Sequence, residues 1–562
     1  MKGYQFEDTQ GTFHLKKAEN ISYLYFPIAG EAGLKSSLTP NLGGDAKIDQ
    51  NTFLLEPVSA ENLVNNRNSR NFWCNVKGIG SWSLTGNAAE ALSKKFTEMQ
   101  DDSEVTAGFM WQKTTRESKK YQLRGEILSF IPVEKNVEVM LVTITNTGRM
   151  AQTVTPTAAI PLYGRSADNI RDHRHVTSLL HRIETTDIGV LVTPTLSFDE
   201  RGHQVNHMTY YCVGWSGNGE KPVDFYPTAE DFVGEGGNFE RPYAIVKNAE
   251  GVKAGTRIEG LEAVGGLHFS EVTLEPEEEC SYLIFTGITE DIQEIRNLSK
   301  TYTTREMVLE ELEKTKAYWQ EKVNVAYHTG DSDFNQFMHW VSFQPILRRI
   351  YGCSFLPHHD YGKGGRGWRD LWQDCLALLI MNPAVVRQMI VANYGGVRID
   401  GTNATIIGNK QGEFIADRNN IARVWMDHAF WPFGTTKLYI DQTGDMDILF
   451  EKVPYFKDLQ SGRGTTHDEE WNTAYGKQQK AESGEIYFSE ADLARMPADF
   501  EQKIKAAAEA KGGKLVLKKE PKAIPDGFVL VYGGVEENCT LKALFDVKKD
   551  QLQDKVNEIL FL

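Results

Sequence analysis

Along the first half of the chain, from Met1 to about Gly287, apolar residues come in short runs that alternate with polar ones. Glu138 to Thr145 is a β-branched stretch closed by Asn146-Thr147-Gly148, and similar runs recur at Ile188 to Leu196, His268 to Leu274 and Tyr282 to Phe285. So many strand patterns with so few helical ones predict a large antiparallel β-sandwich. Near Asp291 the period lengthens. Thr304 to Lys322 sets Met307, Leu309, Leu312, Tyr318 and Trp319 among Glu and Lys, which predicts an amphipathic helix with Glu310 and Lys314 at i, i+4. Asp333 to Ile350 predicts a second helix, with Phe334, Phe337, Met338 and Val341 on one side. From Tyr351 helices alternate with Gly-rich or aromatic-rich loops. Leu371 to Met381 is followed by Asn382-Pro383, which opens a helix through Tyr394, and after the loop Gly395 to Asp417 comes the apolar segment Val424 to Tyr439. Past Gly484 the pattern becomes a short α/β unit, with an Ala- and Lys-rich helix, a strand at Phe528 to Tyr532 turned by Gly533-Gly534, and an amphipathic ending from Asp550 to Leu560. The pattern therefore predicts a multidomain β plus α chain: a sandwich over 1–290, a helical linker over 291–350, the opening of an (α/α) toroid over 351–484 and a small α/β unit over 485–562.

Composition narrows the partners without changing this picture. The 562 residues are 41% hydrophobic and 25% charged, too many for one core. A net charge of −16 with no dense basic patch excludes a nucleic-acid binder. No apolar run reaches about 18 residues, and no charged-then-apolar leader opens the chain, so the expected setting is cytoplasmic, with no membrane span. Cys74, Cys212, Cys280, Cys353, Cys375 and Cys539 lack paired spacing and read as reduced thiols, with neither a zinc site nor a disulfide framework. His173 and His175 are metal ligands by type, but Arg165, Arg171 and Arg174 crowd them with positive charge. Tyr163 to Arg182, with Asp168 and Asp172, reads instead as an inter-domain hydrogen-bonded network, and neither metal nor organic cofactor is expected. Two further stretches are richer than a scaffold needs: the turns of Tyr25 to Pro57, and Asn66 to Trp73, which sets amides and arginines beside aromatics.

Candidate chemistry concentrates in Gly362 to Asp374, Gly-Lys-Gly-Gly-Arg-Gly-Trp-Arg-Asp-Leu-Trp-Gln-Asp. Four glycines let backbone approach a ligand closely before the helix begins. Arg369 and Gln373 share a face at i, i+4, as do Asp370 and Asp374, offset by one residue. A helix mouth with a cation, two carboxylates, an amide and the indoles of Trp368 and Trp372 suits a polyhydroxylated ligand. Charged groups and amides bond hydroxyls, and indole faces stack on the C–H faces of a sugar. The same residues equally describe a salt-bridged, capped helix start. Asp427 and His428 precede Trp431-Pro432, and for His428 a satisfied histidine at a helix start weighs as much as substrate contact.

Gly364 to Asp374 resembles the sugar-site signature of the glycoside hydrolase family 94 phosphorylases, relatives of cellobiose and cellodextrin phosphorylase, and is nearest their long β-glucan oligosaccharide phosphorylases. The resemblance implies a supersandwich, a helical linker and an (α/α)6 barrel. It implies that Arg369 and Asp374 hold hydroxyls of the glucosyl unit on the non-reducing side of the scissile bond, with Trp368, Asp370 and Gln373 shaping the pocket. Asp427 and His428 resemble the family's Asp-Asp or Asp-His pair before a Trp-Pro. Asp374 is expected beside Arg369, whose charge suits it to accept hydroxyls and not to donate a proton. The rich segments of the sandwich resemble those that cap the sugar site from outside. The implied reaction is inverting phosphorolysis of a β-linked gluco-oligosaccharide, the linkage leaning towards β-1,2: an acid protonates the glycosidic oxygen while inorganic phosphate, the co-substrate, attacks the anomeric carbon from the opposite face and leaves as α-glucose 1-phosphate.

In the family the proton donor is the aspartate of a Trp-Asn-Asp-Gly type motif, reached after Pro-Tyr-Phe-Lys-Asp, an exposed loop and a helix. Here Pro454 to Asp458 and the loop Arg463 to Gly484 are present, and the helix and motif do not follow. An incomplete barrel with no catalytic acid is therefore expected, inactive by itself and exposing apolar helix flanks at about 25 cal/mol for each Å² left wet. From about Tyr487 the chain instead resembles the C-terminal part of the E subunit of V-type ATPases and ATP synthases. Val531 to Thr540, Val-Tyr-Gly-Gly-Val-Glu-Glu-Asn-Cys-Thr, and Asp554 to Phe561 carry that likeness. A joined reading frame at Gly484-Glu485-Ile486-Tyr487 is the expected origin. The readings to weigh are an inactive phosphorylase half, a carbohydrate-binding remnant, and a peripheral-stalk protein that meets partner helices of a rotary V-type ATPase through its tail.

Overall fold

The computed structural model of the chain describes residues 4–21, 24–58, 67–172, 174–199, 202–351, 367–398, 401–407, 411–416, 427–456, 470–472, 483–510, 513–532, 535–540 and 542–543. They form two compact units, 1–445 with 455–468, and 446–454 with 469–562.

The first unit is built on two antiparallel sheets, of eleven and six strands. In the larger, Val137–Asn146 lies between Leu123–Phe130 and Glu279–Thr289. All ten of its residues are buried, and the alternation of side chains across a strand explains how. Met140, Val142 and Ile144 face a core shared with the smaller sheet, whereas Val137, Val139 and Leu141 face a second core on the opposite side. The smaller sheet is centred on Gln152–Leu162 between Asn71–Val76 and Ala263–His268, and it supplies Phe72, Cys74, Val76, Ala158, Ile160 and Leu267 to the shared core. The second core is closed by two helices, Ile292–Thr301 and Arg305–Lys322, through Ile295, Leu298, Val308 and Leu312. A sheet covered on both faces carries near-continuous apolar strands, which is why Val137–Asn146 has no solvent side.

Two expected strands break. Ile188 to Leu196 divides into Gly189–Val192 in the large sheet and Leu196–Asp199 in a separate hairpin, with Pro194 between them, a residue that cannot donate to a ladder. His268 to Leu274 divides into the end of Ala263–His268 and Val272–Leu274, which pair with different stretches of Gln152–Leu162. Two expected helix faces also shift. On Arg305–Lys322 the buried residues are Val308, Leu312, Thr315 and Trp319, Met307 turns outward, and Lys314 pairs with Glu311 at 3.5 Å in place of Glu310. On Ser332–Tyr351 the buried residues are Ser342, Phe343, Ile346 and Leu347, while Phe334, Phe337 and Val341 stay exposed. This helix docks through aromatic side chains: Phe343 stacks on Phe109 at 4.3 Å, and the Trp340 indole donates to the Gly11 carbonyl at 2.7 Å.

Three further helices of the first unit follow, Trp368–Leu378, Pro383–Tyr394 and Phe430–Thr443. The Asn382 side chain caps the second by accepting from the Val385 N–H at 3.2 Å. The second unit holds a four-stranded sheet in the order Lys514–Leu517, Ser483–Phe488, Phe528–Tyr532, Val535–Cys539. The boundary expected at 484/485 therefore falls inside its second strand, which runs parallel to one neighbour and antiparallel to the other. Phe488 meets Phe500 and Phe528 at 5.9 and 5.6 Å. The tail expected to end in an amphipathic helix, 550–560, lies outside the described residues. Among the described residues no helix is long and apolar enough to cross a membrane.

Candidate active site

Gly367 opens the helix Trp368–Leu378, and Asp370 caps it by accepting the Gly367 N–H at 3.1 Å. The glycine loop before it, 362–366, lies outside the described residues. The i, i+4 pairing of Asp370 with Asp374 puts both carboxylates on one side, and there they meet Arg348 from the end of Ser332–Tyr351. The guanidinium donates from Nε to Asp374 Oδ1 at 2.6 Å and from Nη2 to Asp370 Oδ1 at 3.1 Å. Asp374 is only 1% exposed. Burial works against the charge of Arg348, but Asp374 and Asp370 together hold it above its usual range.

This corrects one expectation. The guanidinium that holds Asp374 is that of Arg348, not Arg369, because residues five apart on a helix point to different sides. Arg369, half exposed, instead forms an ion pair with Asp427 at 2.6 Å, and the Trp431 indole donates to the same Asp427 oxygen at 3.2 Å. Desolvation raises the Asp427 carboxyl, but the Trp431 and Arg369 donors together outweigh it and hold the group below the ordinary aspartate value. His428 is lowered, chiefly by burial and further by Arg369, against the pull of Asp427.

The indoles are scaffold more than platform. Trp368 is buried, donates from Nε1 to the His428 carbonyl at 3.0 Å, and meets Trp372 edge-on at 5.6 Å. Trp372 in turn packs edge-on against Tyr394 at 5.2 Å. Thus the structure brings Trp368, Arg369, Asp427 and His428 together at one mouth, with Gln373 half-buried on the Arg369 side, and turns Asp370 and Asp374 to the opposite, ion-paired side. Arg348 escaped the sequence reading, and Trp431 was named there only as part of the Trp-Pro step and not as a donor to Asp427. Both stood in legible places, the last turn of a helix and the residue before a proline, but nothing local says which carboxylate each meets.

Of the sandwich segments, Asn68 to Trp73 enters the smaller sheet, and Arg70 makes a fully buried ion pair with Glu138. Arg174 bonds Glu56 and Glu262, and Arg165 bonds Thr177 and His181, so these side chains form a network within the sandwich, where one reaching between domains was expected. His173 lies outside the described residues.

The supersandwich domain of glycosyl hydrolase 94 matches residues 59–305, and the catalytic domain of the glycosyl hydrolase 94 superfamily matches residues 318–485. The chain is 27% identical over 259 residues to the cyclic β-(1,2)-glucan synthase NdvB of Rhizobium meliloti, covering 43% of this chain and 8% of that one. It is 22% identical over 342 residues to solabiose phosphorylase of Paenibacillus borealis, covering 60% and 39%. Over 79 residues, 14% of the chain, it is 34% identical to the V-type proton ATPase E subunit of Thermoanaerobacter pseudethanolicus, covering 40% of that one. The chain thus spans well under two thirds of each of these relatives. Among solved structures, a human-microbiome protein described as a kojibiose phosphorylase aligns over 80% of this chain and 58% of its own at 9% identity and a TM-score of 0.45. A bacterial glucoamylase bound to acarbose aligns over 77% and 61%, at 9% identity and a TM-score of 0.44.

Proposed function

From a chain that carries both the supersandwich and the catalytic domain of glycosyl hydrolase family 94, we propose a phosphorylase-type glucan-binding protein that grips a β-linked gluco-oligosaccharide and does not by itself cleave it. One observation carries this reading: the mouth presents a carboxylate that the Arg369 and Trp431 donors hold ionised. An ionised aspartate beside a guanidinium accepts hydrogen bonds from vicinal hydroxyls while the guanidinium donates to them, which is what sugar recognition needs. Proton donation to a glycosidic oxygen needs the reverse, a carboxyl kept neutral near pH 7 by an apolar, closed setting. Asp374 is a poor candidate for that task as well, since it is buried in its bond to Arg348. In the complete reaction inorganic phosphate would attack the anomeric carbon as the acid protonates the leaving oxygen, giving α-glucose 1-phosphate. The match to the catalytic domain ends at residue 485, and on this reading the acid and most phosphate donors belong to a part of the barrel the chain does not carry. The 27% identity to a β-(1,2)-glucan synthase favours a β-1,2 linkage. Thiols outside any disulfide at Cys74, Cys212 and Cys280 favour the reducing cytoplasm.

Calorimetric titration with sophorotriose tests the reading. Arg369→Ala should weaken binding at this mouth by about tenfold or more, as expected for losing a charge-assisted contact. Unchanged binding at the mouth in that variant would contradict it.

A second reading concerns the tail alone. The 34% identity to the E subunit of a V-type ATPase supports a peripheral-stalk segment that binds a partner helix, and co-purification of this chain with a cognate stalk helix would establish it.

A further inference from the structure

A second concavity of the first unit does not involve the helix mouth. An open groove of about 910 Å³ lies wholly on sandwich residues, at the upper end of the range of small-molecule sites. Its wall is a locked amide cluster. Asn41 donates from Nδ2 to Asn87 Oδ1 at 2.7 Å, and Asn87 Nδ2 returns bonds to the Asn41 carbonyl at 2.8 Å and to Ser69 Oγ at 2.9 Å. Such a wall is rigid before any ligand arrives, so binding costs little ordering. At the rim, the Arg67 guanidinium lies over the Phe239 ring at 5.1 Å and bonds Glu262. Trp73, also in the wall, is 2% exposed, and its buried indole N–H has no hydrogen-bond partner among the described residues. An indole nitrogen can only donate, and a buried donor left unmade is unfavourable until an acceptor comes within reach.

The charge of the lining selects among ligands. Glu230, Glu235, Glu240 and Glu262 line the groove against the single cation Arg67 among the described lining residues, and that cation is already paired. Phosphate esters and other anions are repelled by such a lining. An apolar ligand would strand the amides. A neutral chain of hydroxyls satisfies amide, carboxylate and indole N–H alike and offers C–H faces to Phe239.

We propose that this groove of the sandwich is a second glycan-binding site, taking a neutral oligosaccharide segment through Trp73, Phe239 and the Asn41/Asn87 wall. The choice of a glucan over another neutral polyol rests on the reading of the chain as a glucan-binding protein. The groove itself does not. Such a site would hold a long glucan on the protein independently of the helix mouth.

The test is calorimetric titration of the full chain with cellotriose, laminaritriose and sophorotriose, comparing wild type, Arg369→Ala, Trp73→Phe and Phe239→Ala, each checked for an unchanged far-UV spectrum. The expected result is binding that survives Arg369→Ala, is weakened about fivefold by Trp73→Phe and about tenfold by Phe239→Ala. The Phe239 variant keeps the test valid should the buried Trp73 exchange perturb folding. Loss of all trisaccharide binding in Arg369→Ala, or binding in that variant that is indifferent to both groove substitutions, would overturn the second site. Groove-dependent binding with no effect of Arg369→Ala would uphold it while removing the helix mouth as a sugar site.

Discussion

Arg348 decides what the two carboxylates of the site helix can do. It spans Asp370 and Asp374, and Asp374 is almost wholly withdrawn from water. Removing one partner of such a pair leaves the other buried and unpaired, which costs about 3–5 kcal/mol when both are fully buried. Arg348 is about a third exposed, so water can partly replace it, and Arg348→Met should cost about 2 kcal/mol, read as a lower urea midpoint of the first unit. A midpoint unchanged within error would show that the pair is not structural. A second residue-scale prediction concerns pH. His181 accepts from Arg165 Nε at 3.4 Å and faces the Leu261 carbonyl with Nδ1 at 3.2 Å, and burial, with the charge of Arg165, holds its pKa down to about 3. The folded value lies below the unfolded one near 6.5, so the neutral ring contributes stability in full above pH 6.5, and this is lost as pH falls towards 3. Between pH 7 and 5 the wild type should lose about 2 kcal/mol more than His181→Gln, and equal losses would contradict the assignment. None of these pairings was legible in the sequence. Residue types and helix spacing announced a charged mouth, but the choice of Arg348 over Arg369 as the partner of Asp374 depends on how two helices cross.

At the scale of elements, the kinds of structure were readable and their faces less so. Val137–Asn146 and Pro383–Tyr394 announce themselves through a β-branched run and an Asn-Pro start. The helix Arg305–Lys322 offers apolar residues on more than one side, Met307 and Leu309 as well as Val308 and Leu312, and periodicity alone cannot choose among them. The sheet beneath chooses, by accepting Val308 and Leu312 beside Leu283 and Phe285. Val308→Ala should therefore cost about 2 kcal/mol and Met307→Gln no more than about 0.5 kcal/mol in chemical denaturation. A larger effect at Met307 would restore the sequence-level assignment. The breaks at Pro194 and after His268 show the converse, that an apolar run continues through places where strand pairing stops.

For the whole molecule, two observations meet. The catalytic-domain match ends at residue 485, and Phe334, Phe337, Phe430 and Phe433, on helices of the first unit, are left exposed. Large apolar side chains in such number on helix flanks mark surfaces that ordinarily have a cover. The strand Ser483–Phe488 builds the sheet of the second unit across the point where that match ends, so this point is not a linker but an element paired on both sides. The sequence announced a change of pattern there, but not that one strand would span it, because pairing partners lie farther along the chain. The central claim is recognition of a glucan without cleavage. It is tested most directly by measuring glucose 1-phosphate released when the purified chain is incubated with sophorotriose and inorganic phosphate. Release at the level of a blank without protein is the predicted result, and steady, protein-dependent release that Asp427→Asn abolishes would contradict the account.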